Sequence, residues 1–178
     1  ARQTGLEGFE KLVVIKRIRP ELTDPETTAF FLDEARLVAT LEHPNIAQVY
    51  EIGLVNGSYF FVMEYVHGAD LRHLMEAALL RNQEVSLANA VSVIVGVCAA
   101  LHYAHEKCDL DGRHVNIIHR DVSPSNVLIS HDGAIKVCDF GIAKATSRTL
   151  ETSRGTLKGK FGYMSPEHAR GEPLGRVR

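Results

Sequence analysis

The stretch HRDVSPSNVLIS (119–130), with DFG following at 139–141, decides how this chain folds. Val127 to Ser130 and Ala134 to Cys138 are short β-prone runs on either side of Asp132-Gly133, a turn pair, so the segment reads as a hairpin. The pattern is expected to place Asp121, Asn126 and Asp139 on two short strands joined by a tight turn. Three side chains with hard oxygen atoms would then converge.

Upstream of that hairpin, Leu71 to Leu80 reads as a short helix. Ser86 to Glu106 reads as a longer one, with Val91, Ile94, Val95, Cys98, Leu101 and His105 on the face expected to enter a core. Residues 107–116, KCDLDGRHVN, are polar and turn-rich, as a surface loop is. Further back, Ile46 to Val55 and Ser58 to Met63 flank Asn56-Gly57, the strongest short hairpin signal. Asp24-Pro25 starts a helix in which Phe30, Glu34, Leu37, Val38 and Leu41 recur at helical spacing, and His43-Pro44-Asn45 ends it. Lys11 to Arg17 is a β-branched strand preceded by a turn at Gly5 to Gly8. This order suggests a sheet-bearing lobe joined through Glu64 to Gly68 to a mainly helical lobe.

Composition narrows the class. With 178 residues, 45% apolar, the chain can bury one sizeable core. A balance of 20 basic to 22 acidic residues shows no general attraction to nucleic acid. Cys98, Cys108 and Cys138 match no zinc spacing and suggest a reducing, cytoplasmic setting. The longest apolar run, Val91 to Leu101, is too short to cross a bilayer, and no membrane segment is expected.

Six motifs in order then carry a family resemblance: VVIK (13–16), EAR (34–36), MEYVHG (63–68), HRDVSPSN (119–126), DFG (139–141) and MSPE (164–167). Together they resemble the eukaryotic-type protein kinases, and KFGYMSPEHARGEP (160–173) is most similar to the bacterial serine/threonine members. The resemblance implies an α+β, two-lobed fold with an antiparallel-sheet lobe over 1–66 and a mainly helical lobe over 67–178, truncated at both ends. It implies ATP and Mg2+ as cofactors and a protein Ser/Thr hydroxyl as acceptor. Phosphoryl transfer needs cations to clamp phosphate oxygens and a group to orient the nucleophile. By resemblance Asp121 is the base, Asn126 and Asp139 hold the metal, and Lys16 pairs with the α and β phosphates and with Glu34. Met63 lies at the back of the adenine pocket and Leu128 forms its floor. The carbonyl of Glu64 and the backbone groups of Val66 address the adenine edge, and Asp70 reaches the ribose. His119, Phe140, Val38 and Val49 are implied to stack into an apolar column, and Arg120 to receive a phosphate on a loop whose candidates run from Thr146 to Thr156. Cys138, immediately before Asp139, either faces the nucleotide pocket or, the reading favoured here, is a buried, inert thiol.

Two positions depart from the family. Ser123 stands where a Lys is usual, and Lys160 where a Thr is usual, so the two side-chain types have changed places around Asp121. Lys160 is expected to supply the cation and Ser123 the hydroxyl. The glycine-rich phosphate loop is absent, since Gly5-Leu6-Glu7-Gly8 lacks its spacing, and the chain alone is expected to be inactive. The alternative is a catalytically silent, kinase-like binding module. A small-molecule kinase of related fold is disfavoured by DFG together with MSPE.

Overall fold

The computed structural model describes residues 1–17, 25–115, 117–140 and 161–170. A four-stranded antiparallel sheet in the order β1-β2-β4-β3 is built from β1 (Arg2–Thr4), β2 (Glu10–Arg17), β3 (Val49–Val55) and β4 (Ser58–Glu64), and α1 (Pro25–Ala39) lies against β3 and β4. Asn56 and Gly57 both have positive φ (49° and 74°), the conformation a two-residue hairpin turn demands. Opposite Lys16 on β2 stands Phe61 on β4, and the Phe61 ring meets Phe31 of α1 at 5.3 Å, so one aromatic pair joins helix to sheet. The second sheet, β5-β6-β7, comprises β5 (Gly68–Asp70), β6 (Val127–Ser130) and β7 (Ile135–Val137), beside α2 (Leu71–Leu80) and α3 (Leu87–Glu106). A last short helix, α4, spans Pro166–Ala169.

Local signals explain several boundaries. Asp70 caps α2 by accepting from the His73 N–H, and Ser86 caps α3 by accepting from the Asn89 N–H. The first helix stops at Ala39, short of Leu41, because the Thr40 hydroxyl and N–H both turn back onto the Leu37 carbonyl. Among its described side chains the buried ones are Phe31, Ala35 and Val38, with Leu37 partly buried beside them. Strand β3 begins at Val49 where a start at Ile46 was expected. Residues 45–47 instead run along β7: Val137 N–H donates to the Asn45 carbonyl (2.8 Å), Ala47 N–H to the Val137 carbonyl (2.9 Å), and the Asn45 amide to the Ile135 carbonyl (2.9 Å).

The orientation of α3 corrects the sequence expectation. Val91, Ile94, Val95 and Cys98 point outward, while Gly96, Val97, Ala100 and Ala104 are buried. A Cβ at Gly96 would sit 3.1 Å from Ile135 and 3.3 Å from the Asn45 amide, so small residues let this helix approach β7 and the 43–48 segment closely. In length and apolarity α3 would pass for a bilayer span, yet its small-residue face is packed against protein. Asp121, Asn126 and Asp139 also differ slightly from expectation: they flank the β6–β7 hairpin and do not lie on its strands.

Both lobes share one core, in which Val38, Leu41 and Phe61 are continuous with Ile117, Val137 and Phe140. At the start of the second sheet, a Cβ on Gly68 would overlap the Ile129 carbonyl oxygen and lie 2.7 Å from Ser130 Cα. Backbone cannot yield as a side chain can. Gly68→Ala is expected to lower unfolding free energy by about 1–3 kcal/mol, measured by urea denaturation; an unchanged midpoint would show that β5 moves freely.

Candidate active site

The loop between α3 and β6 is organised by His119, which is 1% exposed. Its Nδ1 accepts the Asp121 N–H (3.3 Å), so the proton resides on Nε2, which donates to the Cys138 carbonyl (3.0 Å). Burial holds the imidazole below its usual pKa, against the smaller raising effects of the Cys138 carbonyl and the Asp121 charge. An accepting Nδ1 beside a donating Nε2 is the hydrogen-bond pattern of the neutral ring. The ring meets Phe140 in a tilted contact at 4.5 Å, and Phe140, Val38 and Val49 belong to the same buried core.

Two residues after His119, Asp121 is held by Asn126. The Asn126 amide nitrogen donates to the Asp121 carbonyl (2.7 Å) and to its Oδ2 (3.1 Å). Spacing makes this possible: Pro124 opens a single 3-10 turn over Pro124–Asn126, and the Asn126 N–H returns to the Ser123 carbonyl (2.9 Å). Asn126 also accepts the Cys138 N–H on its own carbonyl (3.0 Å), which ties Asp121 to the residue preceding Asp139. From the other lobe Lys16 reaches Asp139 Oδ1 at 3.0 Å, with its ammonium 5.4 Å from the Phe61 ring centre. Their side chains are 35% and 46% exposed, so the pair contributes little stability; its importance is the position it gives each charge.

The amide orientation that satisfies Asp121 leaves Asn126 Oδ1 without a donor among the described residues, and the Asp139 carboxylate follows directly on Cys138, whose N–H the Asn126 carbonyl accepts. Two such oxygens suit Mg2+, which prefers carboxylate and carbonyl oxygen to nitrogen or sulfur. Ser123 is 5% exposed, and its hydroxyl has no hydrogen-bond partner among the described residues; the same is true of Arg120 Nε. Cys138 is half-buried, and burial first, then the Asp139 charge, pushes its pKa up to about 12, a direction that disfavours the reactive thiolate.

Around the connection between lobes, Met63 is buried in the core at the end of β4 and Val66 is half-buried. Leu128 stands opposite Asp70 in the second sheet. The Asp70 carboxylate is committed to its own helix, accepting the His73 N–H (2.9 Å) and meeting the His73 ring. Burial raises its pKa, but the His73 bonds and the nearby Arg72 outweigh that and hold it below the usual value. Glu64 directs its carboxylate to Lys136 and to the Gln48 N–H, a use that sequence reasoning missed. Glu34 lies in α1, but its side chain, like all of Lys160 and the Thr146–Thr156 candidates, is outside the described residues.

Comparisons with known proteins identify the family. The family profile described as the protein kinase domain matches residues 6–177. The chain is 45% identical over 177 residues to "Tyrosine-protein kinase MasK" of Myxococcus xanthus, covering 99% of this chain and 27% of the relative. It is 37% identical to "Serine/threonine-protein kinase PrkC" of Bacillus subtilis, covering 92% and 24%. It is 39% identical to "Probable serine/threonine-protein kinase PknB" of Lactococcus lactis, covering 91% and 24%. The chain thus spans about a quarter of these relatives. Among solved structures, the Mycobacterium tuberculosis PknI kinase domain superposes with a TM-score of 0.66 at 27% identity, over 92% of this chain and 56% of that one.

Burial lowers His119, and burial with the Lys136 charge lowers His43, each from 6.5. An unfolded chain takes up these protons near 6.5 while the folded protein resists, so stability is full above 6.5 and declines as pH falls through it. Urea denaturation between about pH 7.5 and about pH 5.5 should show this loss, and His119→Phe should reduce the slope. An unchanged slope would mean that His119 takes up its proton as readily in the folded protein as in the unfolded chain.

Proposed function

The chain belongs to the protein kinase family, matched over residues 6–177, and from that premise we propose that it carries the phosphoryl-transfer site of a bacterial serine/threonine protein kinase. The protein would transfer the γ-phosphate of ATP to a Ser or Thr hydroxyl of a protein substrate, in the cytoplasm. One observation supports this reading above others: Lys16, Asp121, Asn126 and Asp139 come together from both lobes through Asn126–Asp121 and Lys16–Asp139 bonds.

In this reading Asp121 accepts a hydrogen bond from the substrate hydroxyl, orients it, and takes its proton late in the transfer. Asn126 holds the Asp121 carboxylate in that orientation through Oδ2. Asn126 Oδ1 and Asp139 would hold Mg2+, which when bound supplies the positive charge that balances phosphate oxygens. Lys16 would exchange part of its contact with Asp139 for the α and β phosphates, and Glu34 would steady it. The backbone at Glu64 and Val66 would address adenine between Met63 and Leu128, with Asp70 near the ribose. The silent-module alternative has no need of this full set in bonded register.

The acceptor is assigned as Ser/Thr from relatives such as PrkC and PknB, whose names say serine/threonine, although the relative MasK is named a tyrosine-protein kinase. Expressed with its native flanking sequence, the protein should autophosphorylate with ATP and magnesium. Asp121→Asn should cut the rate by at least about a hundredfold, with phosphoamino-acid analysis reporting Ser and Thr. Transfer that survives Asp121→Asn would overturn the mechanism, phosphotyrosine alone would overturn the acceptor, and ATP binding without product would favour the silent module.

Ser123 and Lys160 form a compensating pair in the same proposal. The Ser123 hydroxyl is buried without a partner among the described residues, close in sequence to Asp121 and available to it. Lys160 supplies the charge that the family usually places at position 123. Lys160→Thr should therefore depress transfer, and adding Ser123→Lys should restore it. Additive losses in the double variant would argue against compensation.

A further inference from the structure

Glu64 and Lys136 form an ion pair that the phosphoryl-transfer reading does not use. Glu64 Oε2 lies 2.9 Å from Lys136 Nζ, and the side chains are 23% and 18% exposed. Among the described ion pairs it alone has both partners under a quarter exposed. The same oxygen accepts the Gln48 N–H (3.1 Å), while the Glu64 N–H donates back to the Gln48 carbonyl (2.8 Å). One carboxylate therefore joins three segments: the end of β4, the 43–48 segment and β7.

Their positions matter for the site. Glu64 is the last residue of β4, immediately before the crossing between lobes, and Lys136 lies on β7 three residues before Asp139. Backbone bonds already fix residues 45–47 to β7 at Val137 and Ile135. The ion pair extends that attachment to the strand from which the crossing departs. Removing the ammonium leaves an enclosed carboxylate with the Gln48 N–H alone, and such a charge turns toward water and releases the strand.

We propose that Glu64–Lys136 is a latch that sets the crossing strand against the strand leading to Asp139, making Lys136 a positioning residue for the nucleotide. This rests on the kinase reading, because its consequence is measured on bound nucleotide. The latch acts by holding adenine-facing backbone and metal-facing carboxylate at one separation. Lys136 itself touches neither nucleotide nor acceptor.

The test compares Lys136→Met and Lys136→Arg in the protein with its native flanks. It measures the Kd of a non-hydrolysable ATP analogue with magnesium, the KM and kcat for ATP, and amide exchange at Gln48 and Glu64. Lys136→Met should raise Kd and KM about tenfold with kcat held within about twofold, and should speed exchange at both amides. Lys136→Arg should return all of these to near wild type. Lys136→Met binding within about twofold of wild type, or no rescue by Arg, overturns the latch. Wild-type protein that binds no nucleotide would instead remove the kinase reading and the positioning role with it, while the exchange comparison still decides whether the pair holds the strands together.

Discussion

The fold depends on main-chain pairing between residues 45–47 and Val137. Two sheets that share no strand are held together where Ile46 bridges Val137 in parallel, flanked by the Asn45 and Ala47 hydrogen bonds. His43 and Glu42 add a second attachment through Tyr103 of α3, the first by ring contact at 5.1 Å and the second by N–H to hydroxyl at 3.3 Å. Ile46 is 1% exposed and Val137 is 1% exposed, so these backbone groups pair away from water, where unmade bonds would be costly. The small lobe thus has a fixed point on the large one, and Lys16 can find Asp139 across 123 residues of chain.

How much of this was legible from sequence depended on whether the cause was local. Asn56-Gly57 and Gly133 were readable because their positive φ angles demand such residues. The limits of α2 and α3 were readable because Asp70 and Ser86 satisfy orphan N–H groups of the first turn. The buried face of α3 was not, because that helix is apolar on more than one side and periodicity cannot rank its faces. What ranks them is approach distance: Gly96 admits β7 closely, Ala100 and Ala104 are buried on the same helix, and Val91, Ile94 and Val95 are left outward. The Ile46 to Gln48 run was read as strand for its apolar character, but its partner, Val137, lies far along the chain.

The candidate site divides along the same line. The five-residue separation of Asp121 and Asn126 is local chemistry, a 3-10 turn that returns an amide to a carboxylate. The pairing of Lys16 with Asp139 was not contained in either residue's neighbourhood: the motifs implied phosphates and Glu34 as partners of Lys16, and the contact with Asp139 emerges only when the two lobes are together. Lys136 went unread for a different reason. A lysine on a short hairpin strand looks solvated, and its partner Glu64 was considered only for its backbone.

Backbone conformation shows why the apolar column and the polar site cannot be separated. Arg120 and Asp139 adopt left-handed φ values of 61° and 56°, a conformation that non-glycine residues hold only under constraint from their surroundings. Each adjoins a member of the stacked pair: His119 precedes Arg120, and Phe140 follows Asp139. Both rings are almost wholly buried, and His119 is further bonded to the Cys138 carbonyl directly before Asp139. Two turns that aim Asp121 and Asp139 are thus clamped by one ring contact and one hydrogen bond. Loss of the ring contact would free both turns together, so the packing of these two side chains governs the separation of the Asp121 and Asp139 carboxylates.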